Sequence, residues 1–66
     1  MKQLQPTDYV VWSPNYEYAL QHSNGDIILY GDKDEAQADC IADEIATPCT
    51  ELPTFYQELI LKQINK

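Results

Sequence analysis

Acidic side chains dominate the groups in this sequence that could do chemistry. Glu35, Asp39 and Asp43 follow one another at intervals of four residues, and on a helix this spacing stacks one carboxylate above the next. No lysine lies four residues from any of them. An unpaired acidic stripe suits docking on a basic protein surface, because complementary charge steers encounter and sets specificity. The plainer interpretation is a solvated helix face, and a metal site is the third.

A calcium loop is the metal site that the sequence comes nearest to. Asp32 and Asp34 have the spacing that opens such a loop. The pattern then requires an oxygen ligand and a glycine, and Ala36 and Gln37 stand at those two positions. The match fails, and capping of a following helix explains Asp32 better. We therefore expect no metal.

The other reactive side chains form no catalytic pattern. Cys40 and Cys49 lack the CxxC and Cys–His spacings of zinc sites. His22, the single histidine, lies beside a predicted turn and is expected to be exposed. With two glycines in the whole chain, no glycine-rich phosphate loop exists. We expect a protein that is not an enzyme and that carries no cofactor.

The composition narrows the classes of partner. Sixty-six residues make one domain, 1–66, with a core too small to be more than marginally stable. Eleven acids against four lysines, with no arginine, give a net charge of −7. Direct nucleic-acid binding needs cations that displace counterions from phosphate, so it is excluded, and anionic membranes would repel the chain. No small-molecule substrate is evident, which leaves a basic protein surface or a second copy of the chain as partner.

The N-terminal residues 1–6 contain no apolar signal-peptide core, and no apolar run approaches the roughly 20 residues of a membrane span. These features predict a cytoplasmic protein. In that compartment Cys40 and Cys49 are expected to be reduced thiols, the alternative being a disulfide at nine-residue spacing.

Turn and strand signals predict a β-meander. Strands are expected at residues 9–12, 16–21 and 27–30, where β-branched and aromatic residues concentrate. Asn24-Gly25 predicts a two-residue type I′ turn that pairs Ser23 with Asp26. With this register the core face carries Tyr16, Tyr18, Leu20, Ile27 and Leu29. The opposite face, which includes Ala19 and Tyr30, is only half polar, so something is expected to cover part of it.

Two helices are predicted to follow the strands. The first covers residues 33–45 after an Asp32 cap; its main apolar arc is Ala38, Ile41, Ala42 and Ile45, with a narrower strip of Ala36 and Cys40. The second begins near Pro53 and ends near Ile64. Its wide apolar arc leaves Leu61 outside. Seven aromatic residues are expected to serve the core and its edge, or alternatively a protein interface.

The sequence therefore predicts an α+β domain, a three-stranded antiparallel β-meander packed against two C-terminal helices. The favoured function is a protein-binding module, in which Glu35, Asp39 and Asp43 steer a basic partner and Leu61 adds apolar contact. Short acidic α+β chains resemble, as a class, accessory or inhibitor proteins of phages and mobile elements. Two alternatives stay open: a structural homo-oligomer, such as a homodimer, and a nucleic-acid mimic that blocks a DNA- or RNA-binding protein.

Overall fold

The computed structural model describes residues 8–65; the predicted polar lead-in at residues 1–8 lies, apart from Asp8, outside this range. In chain order the elements are β1 (Tyr9–Ser13), β2 (Tyr18–Ala19), α1 (Lys33–Ala38), β3 (Ile45–Pro48), a 3-10 turn (Cys49–Glu51) and α2 (Thr54–Ile64). The strands form one antiparallel sheet in the order β2-β1-β3. The predicted α+β class and its three-stranded antiparallel sheet with two helices are confirmed. The predicted meander followed by two C-terminal helices is corrected, because α1 precedes β3 in the chain and β1, not β2, is the central strand.

The central strand β1 is buried on both of its faces. Val10 and Val11 are adjacent in the chain, so their side chains point to opposite sides of the sheet, and both have 0% exposure. Such complete burial requires a cover on each side. The cover is α2 on the Val10 side and α1 on the Val11 side. Both faces of the sheet are therefore covered, but the predicted half-polar face is not one of them, because Ala19 lies on the α2 side and Tyr30 on the α1 side.

Two apolar clusters fill the spaces above and below the sheet. The α2 side holds Val10, Ala19, Ile27, Cys49, Leu52 and Ile60, with Trp12, Leu29, Tyr56 and Ile64 packed around them. The α1 side holds Val11, Ala36 and Ala46, with Tyr9, Leu20, Tyr30 and Cys40 packed around them. Burial of this apolar surface is the main favourable term in the stability of the domain.

The third strand lies at Ile45–Pro48, and the prediction of a strand at residues 27–30 is wrong. That segment makes only isolated bridges, Gln21 with Ile27 and Tyr9 with Tyr30. The edge of β1 beside it is already occupied further along by β2, whose Ala19 pairs with Trp12. The open edge of β1 instead pairs with β3, which puts Ala46 opposite Val11 in the α1-side cluster.

The hairpin turn has three residues rather than two. His22 N donates to Asp26 O at 2.7 Å, and Gly25 N donates to His22 O at 3.0 Å. Gly25 has φ +94°, whereas Asn24 is not among the residues with positive φ. This is a type I turn closed by a glycine in the left-handed region, so the predicted type I′ turn and its pairing of Ser23 with Asp26 are wrong.

The one-residue change of register breaks up the predicted core face: Ile27 and Leu29 remain in the α2-side cluster, whereas Leu20 packs on the α1 side. Ala19 is buried in the core, whereas Tyr16 is 76% exposed and Tyr18 is 37% exposed. Ser13 pairs with Tyr18, which places Tyr18 on the α1 side of the sheet, and Trp12 pairs with Ala19 on the α2 side. The predicted core face, with Tyr16 and Tyr18, is corrected accordingly.

Helix α1 ends seven residues earlier than predicted. Asp32 caps it, its side chain accepting from Asp34 N at 3.0 Å, but Ala38 is the last helical residue. Ala36, from the narrower predicted strip, is the buried residue of α1. The main predicted arc is exposed, and of its members (Ala38, Ile41, Ala42 and Ile45) only Ala38 lies within the helix. A helix continued to residue 45 would stack Glu35, Asp39 and Asp43, which repel one another. Strand pairing of β3 with β1 replaces it.

Helix α2 agrees with its prediction. It begins at Thr54 behind Pro53 and ends at Ile64. Ile60 is fully buried against the sheet, with Tyr56 and Ile64 one turn to either side. The sequence periodicity predicts this helix correctly because its apolar residues recur with the helical period.

Candidate docking surface

The segment that joins α1 to β3 is fastened to the first hairpin by two carboxylates. Asp43 Oδ2 accepts from Ser13 Oγ at 2.8 Å and from Asn15 N at 3.3 Å. Ser13 Oγ in turn accepts from Tyr16 N at 3.3 Å. Ser13 is fully buried, and Asp43 supplies the acceptor for the hydrogen that its hydroxyl donates. The predicted docking residue Asp43 is therefore also a structural residue.

Glu44 is the second of these carboxylates, and only 8% of the residue is exposed. Its carboxylate accepts from the Tyr18 hydroxyl through Oε2 and from Ile41 N at 2.9 Å through Oε1. The hydrogen bond to Glu44, with burial and nearby negative charge adding to it, raises the pKa of Tyr18 to about 12. One carboxylate thus holds the β1–β2 hairpin and the 41–44 turn together.

Asp39 makes a third contact of the same kind. The Tyr30 hydroxyl donates to Asp39 Oδ2 at 2.6 Å. Burial first, and then this hydrogen bond, raise the pKa of Tyr30 to about 12. Asp39 itself is exposed at the C-terminal cap of α1. Its charge therefore faces solvent in a fixed position.

The remaining acids of this region lie on α1 and are exposed. Asp34 and Glu35 occupy its first turn, where the positive end of the helix dipole favours them. Residues 32–44 contain six acids (Asp32, Asp34, Glu35, Asp39, Asp43 and Glu44) and one lysine, Lys33, so their net charge is +1 − 6 = −5, against −7 for the whole chain. Most of the charge of the protein is concentrated on the α1 side.

Exposed apolar side chains lie among these acids. Ile41 is 74% exposed between Asp39 and Asp43, in a turn where Ala42 has φ +55° and Glu44 N donates to Ile41 O at 3.0 Å. Tyr16 is 76% exposed, with its ring centroid 6.4 Å from that of Tyr18. We call this surface the acidic face; it consists of Asp34, Glu35, Asp39, Ile41, Asp43 and Tyr16.

The structure keeps Glu35, Asp39 and Asp43 on the same side of the sheet but not in one helical stripe. Only Glu35 lies within a helix, Asp39 caps it, and Asp43 lies in the following turn. Leu61 is separate from all three: it is half-buried on α2, which covers the opposite face of the sheet. The four predicted docking residues therefore do not form one surface.

Sequence reasoning missed Ile41 and Tyr16 as exposed residues because both fit an apolar pattern. Ile41 matched the helical spacing of Ala38 and Ile45, and Tyr16 matched the alternation of a strand. The sequence signal that favours the observed outcome is electrostatic, since a continuous helix would place Glu35, Asp39 and Asp43 in line.

Other features of residues 8–65 give no competing site. Within that range no three His, Cys, Asp or Glu side chains are grouped as metal ligands would be, and His22 is exposed on its hairpin. None of its helices has the length and apolar character needed to cross a membrane. An open groove of about 200 Å³ lies between the hairpin at residues 21–27 and α2. It is lined by Gln21, Gly25, Asp26, Ile27, Leu59, Lys62 and Gln63.

The two thiols lie on opposite sides of the sheet. Cys49 is fully buried in the α2-side cluster, and Cys40 packs on the α1-side cluster, where its Sγ donates to Ala36 O at 3.3 Å. The two are not bonded to each other. Burial, and then the charges of Glu44 and Asp39, raise the pKa of the Cys40 thiol, which disfavours the reactive thiolate.

The chemistry of the acidic face is that of fixed charge beside apolar contact. Asp39 and Asp43 accept hydrogen bonds from Tyr30 and Ser13, and Ile41 and Tyr16 are exposed on the same face. Comparison of the chain with protein-family models, with curated proteins and with solved structures found no match.

Proposed function

We propose that this chain is a small, non-enzymatic protein-binding module that docks its acidic face on a basic protein surface. The observation that carries the proposal is Ile41, which is 74% exposed between two acids, Asp39 and Asp43, whose carboxylates are held by hydrogen bonds. Apolar contact beside charges of fixed position gives a partner both binding energy and a defined orientation.

Preorganisation of the carboxylates supports this role. Tyr30 holds Asp39, and Ser13 holds Asp43, before any partner arrives. Side chains that are already ordered lose less conformational entropy when an interface forms. Tyr16 supplies an exposed aromatic ring of the kind enriched at binding hot spots.

The charge distribution supports a cationic partner. Residues 32–44 carry a net −5 of the −7 of the chain, so the field is strongest on the α1 side. Such a field speeds association with a basic surface and weakens as salt screens it. The unbonded thiols Cys40 and Cys49 support a reducing compartment, and we place the module in the cytoplasm as part of the same proposal.

The test is affinity capture from source-cell lysate at low and at high salt, using four forms of the protein. Wild type is compared with the double charge reversal Asp34→Lys/Glu35→Lys, with Ile41→Ser, and with Phe55→Ser as matched control on the opposite face. Asp39 and Asp43 are left intact because their loss would also remove hydrogen bonds of the fold. All four proteins are first shown to be folded by circular dichroism.

The proposal predicts a stoichiometric basic protein that is captured by wild type and by Phe55→Ser, and released by salt. The charge reversal and Ile41→Ser should each weaken its affinity by about tenfold or more. Equal capture by all four forms would refute docking through the acidic face. Added DNA that competes for the partner would identify nucleic-acid mimicry, which has otherwise lost the evenly spaced helical carboxylates on which it rested.

A further inference from the structure

We infer that the outer face of α2 is a self-association surface that pairs with the α2 of a second copy in antiparallel orientation. Phe55, Glu58, Leu59 and Lys62 recur at helical spacing on the side of α2 opposite the buried Ile60. Phe55 is 65% exposed and Leu59 is 37% exposed. This face lies on the other side of the sheet from the acidic face, so the inference is independent of the proposed function.

Phe55 is an oriented anchor rather than a free side chain. Its ring meets Tyr56 edge-on, with centroids 5.5 Å apart at 90°, and Tyr56 meets Trp12 in the same way at 5.1 Å and 77°. The Tyr56 hydroxyl donates to Glu17 O at 3.0 Å, which fixes the middle ring. The contact with the fixed Tyr56 ring favours this orientation of Phe55, which lowers the side-chain entropy that its burial at an interface costs.

Charge identifies a second copy as the occupant. Two molecules of net charge −7 repel each other, and they approach most easily through surfaces on which charge is balanced. The residues of α2, Thr54–Ile64, include one acid, Glu58, and one base, Lys62, and their sum is zero. Asp26, which lines a groove with Leu59 and Lys62, adds one negative charge at the edge of this face. The face still carries less charge than the acidic face, so a copy of the chain meets less repulsion here than on the α1 side.

The spacing fits a two-fold axis. Phe55 and Lys62 are equally distant from the Glu58–Leu59 midpoint, so an antiparallel pair places each Phe55 against Lys62 of the second copy, twice. Lys62 then offers its ammonium to the face of the ring and its alkyl stem to apolar contact. An 11-residue helix is about 16 Å long, too short to bury the roughly 800 Å² per partner of a standard interface. The dimer is therefore weak and forms at high protein concentration.

Sedimentation velocity over about a hundredfold range of concentration tests this inference on the full chain. Wild type and the conservative variant Lys62→Arg should shift from monomer to dimer as concentration rises. Phe55→Ser and Lys62→Glu should each raise the dimer Kd by about tenfold or more. Ile41→Ser, on the acidic face, should dimerise like wild type. Far-ultraviolet circular dichroism confirms that each variant is folded, and Lys62→Glu alters no core contact.

Three outcomes would overturn the inference: a wild-type chain that stays monomeric throughout, a dimer that Phe55→Ser and Lys62→Glu leave unchanged, or a dimer that Ile41→Ser abolishes. Failure here leaves the docking proposal untouched, because its variants lie on the other face. Failure of partner capture, in turn, leaves the self-association of α2 as a separate result.

Discussion

The side-chain amide of Gln63 forms both hydrogen bonds of a β-bridge with the backbone of Ile27. Gln63 Oε1 accepts from Ile27 N at 2.8 Å, and Gln63 Nε2 donates to Ile27 O at 2.7 Å. Ile27 lies outside the three-stranded sheet, in an isolated bridge with Gln21, and its side chain is buried with 3% exposure. The amide supplies the donor and the acceptor that a neighbouring strand would otherwise provide. These two hydrogen bonds connect the hairpin at residues 21–27 to α2.

Gln63→Glu should lower the free energy of unfolding by about 1–3 kcal/mol. A carboxylate keeps the acceptor for Ile27 N but loses the donor, so Ile27 O is left facing negative charge. Urea unfolding at neutral pH measures the loss. Gln37→Glu makes the same chemical change on an exposed side chain of α1 and should cost only a few tenths of a kcal/mol. Equal effects at the two positions would contradict the role given to Gln63.

Tyr18 and Tyr30 should ionise late in a spectrophotometric titration of the folded protein. Hydrogen bonding to Glu44 and burial raise the pKa of Tyr18 from 10.0 to about 12, and burial with a hydrogen bond to Asp39 does the same for Tyr30. A pKa raised by folding stabilises the folded state at pH values below 10.0 and loses that contribution as pH rises toward 12. Stability should therefore fall over this alkaline interval.

The double variant Tyr18→Phe/Tyr30→Phe should be less stable than wild type near neutral pH and lose less stability across the same alkaline interval. Its native titration should lack the late-ionising phenols, while Tyr16→Phe, at an exposed position, should retain them. Native absorbance that rises as a single step near the ordinary tyrosine pKa would contradict both hydrogen-bonded pairs.

Ala42→Gly should stabilise the protein by about 0.5–1 kcal/mol. Ala42 has φ +55°, a left-handed conformation that crowds its Cβ and that glycine adopts freely. The matched control is Ala38→Gly, the same substitution at a right-handed helical position, which should destabilise by a similar amount. Thermal or urea unfolding of the two variants measures the difference. Loss of stability in both would show that the 41–44 turn is not under this strain.

Native Cys40 should react with a thiol reagent more slowly than an unperturbed thiol, and Cys49 should react only after unfolding. The raised pKa of Cys40 reduces its thiolate at neutral pH, and Cys49 has 0% exposure. Timed thiol counts in native and denatured protein, with Cys40→Ser as the variant, check this order. Fast native reaction of Cys49, or an intramolecular disulfide, would contradict their placement on opposite sides of the sheet.

The amino-acid sequence by itself determined the elements whose local signals agree. The Tyr9-Val10-Val11-Trp12 run gave β1, Pro53 and the apolar period after it gave α2, and Asp32 gave the start of α1. The α+β class followed from these. In each case the periodicity, the cap and the burial point to the same structure.

Tertiary structure decided the rest, because those features depend on distant partners. Residues 45–48 form a strand because β1 offers an open edge, and the acids near them are held by Ser13 and Tyr18, about thirty residues away in the chain. The pairing of β2 with β1 places Ala19 in the core and Tyr18 outside it, and the turn before β2 leaves Tyr16 exposed. Local pattern cannot distinguish these alternatives, since pairing energy between segments selects among conformations that the sequence permits equally.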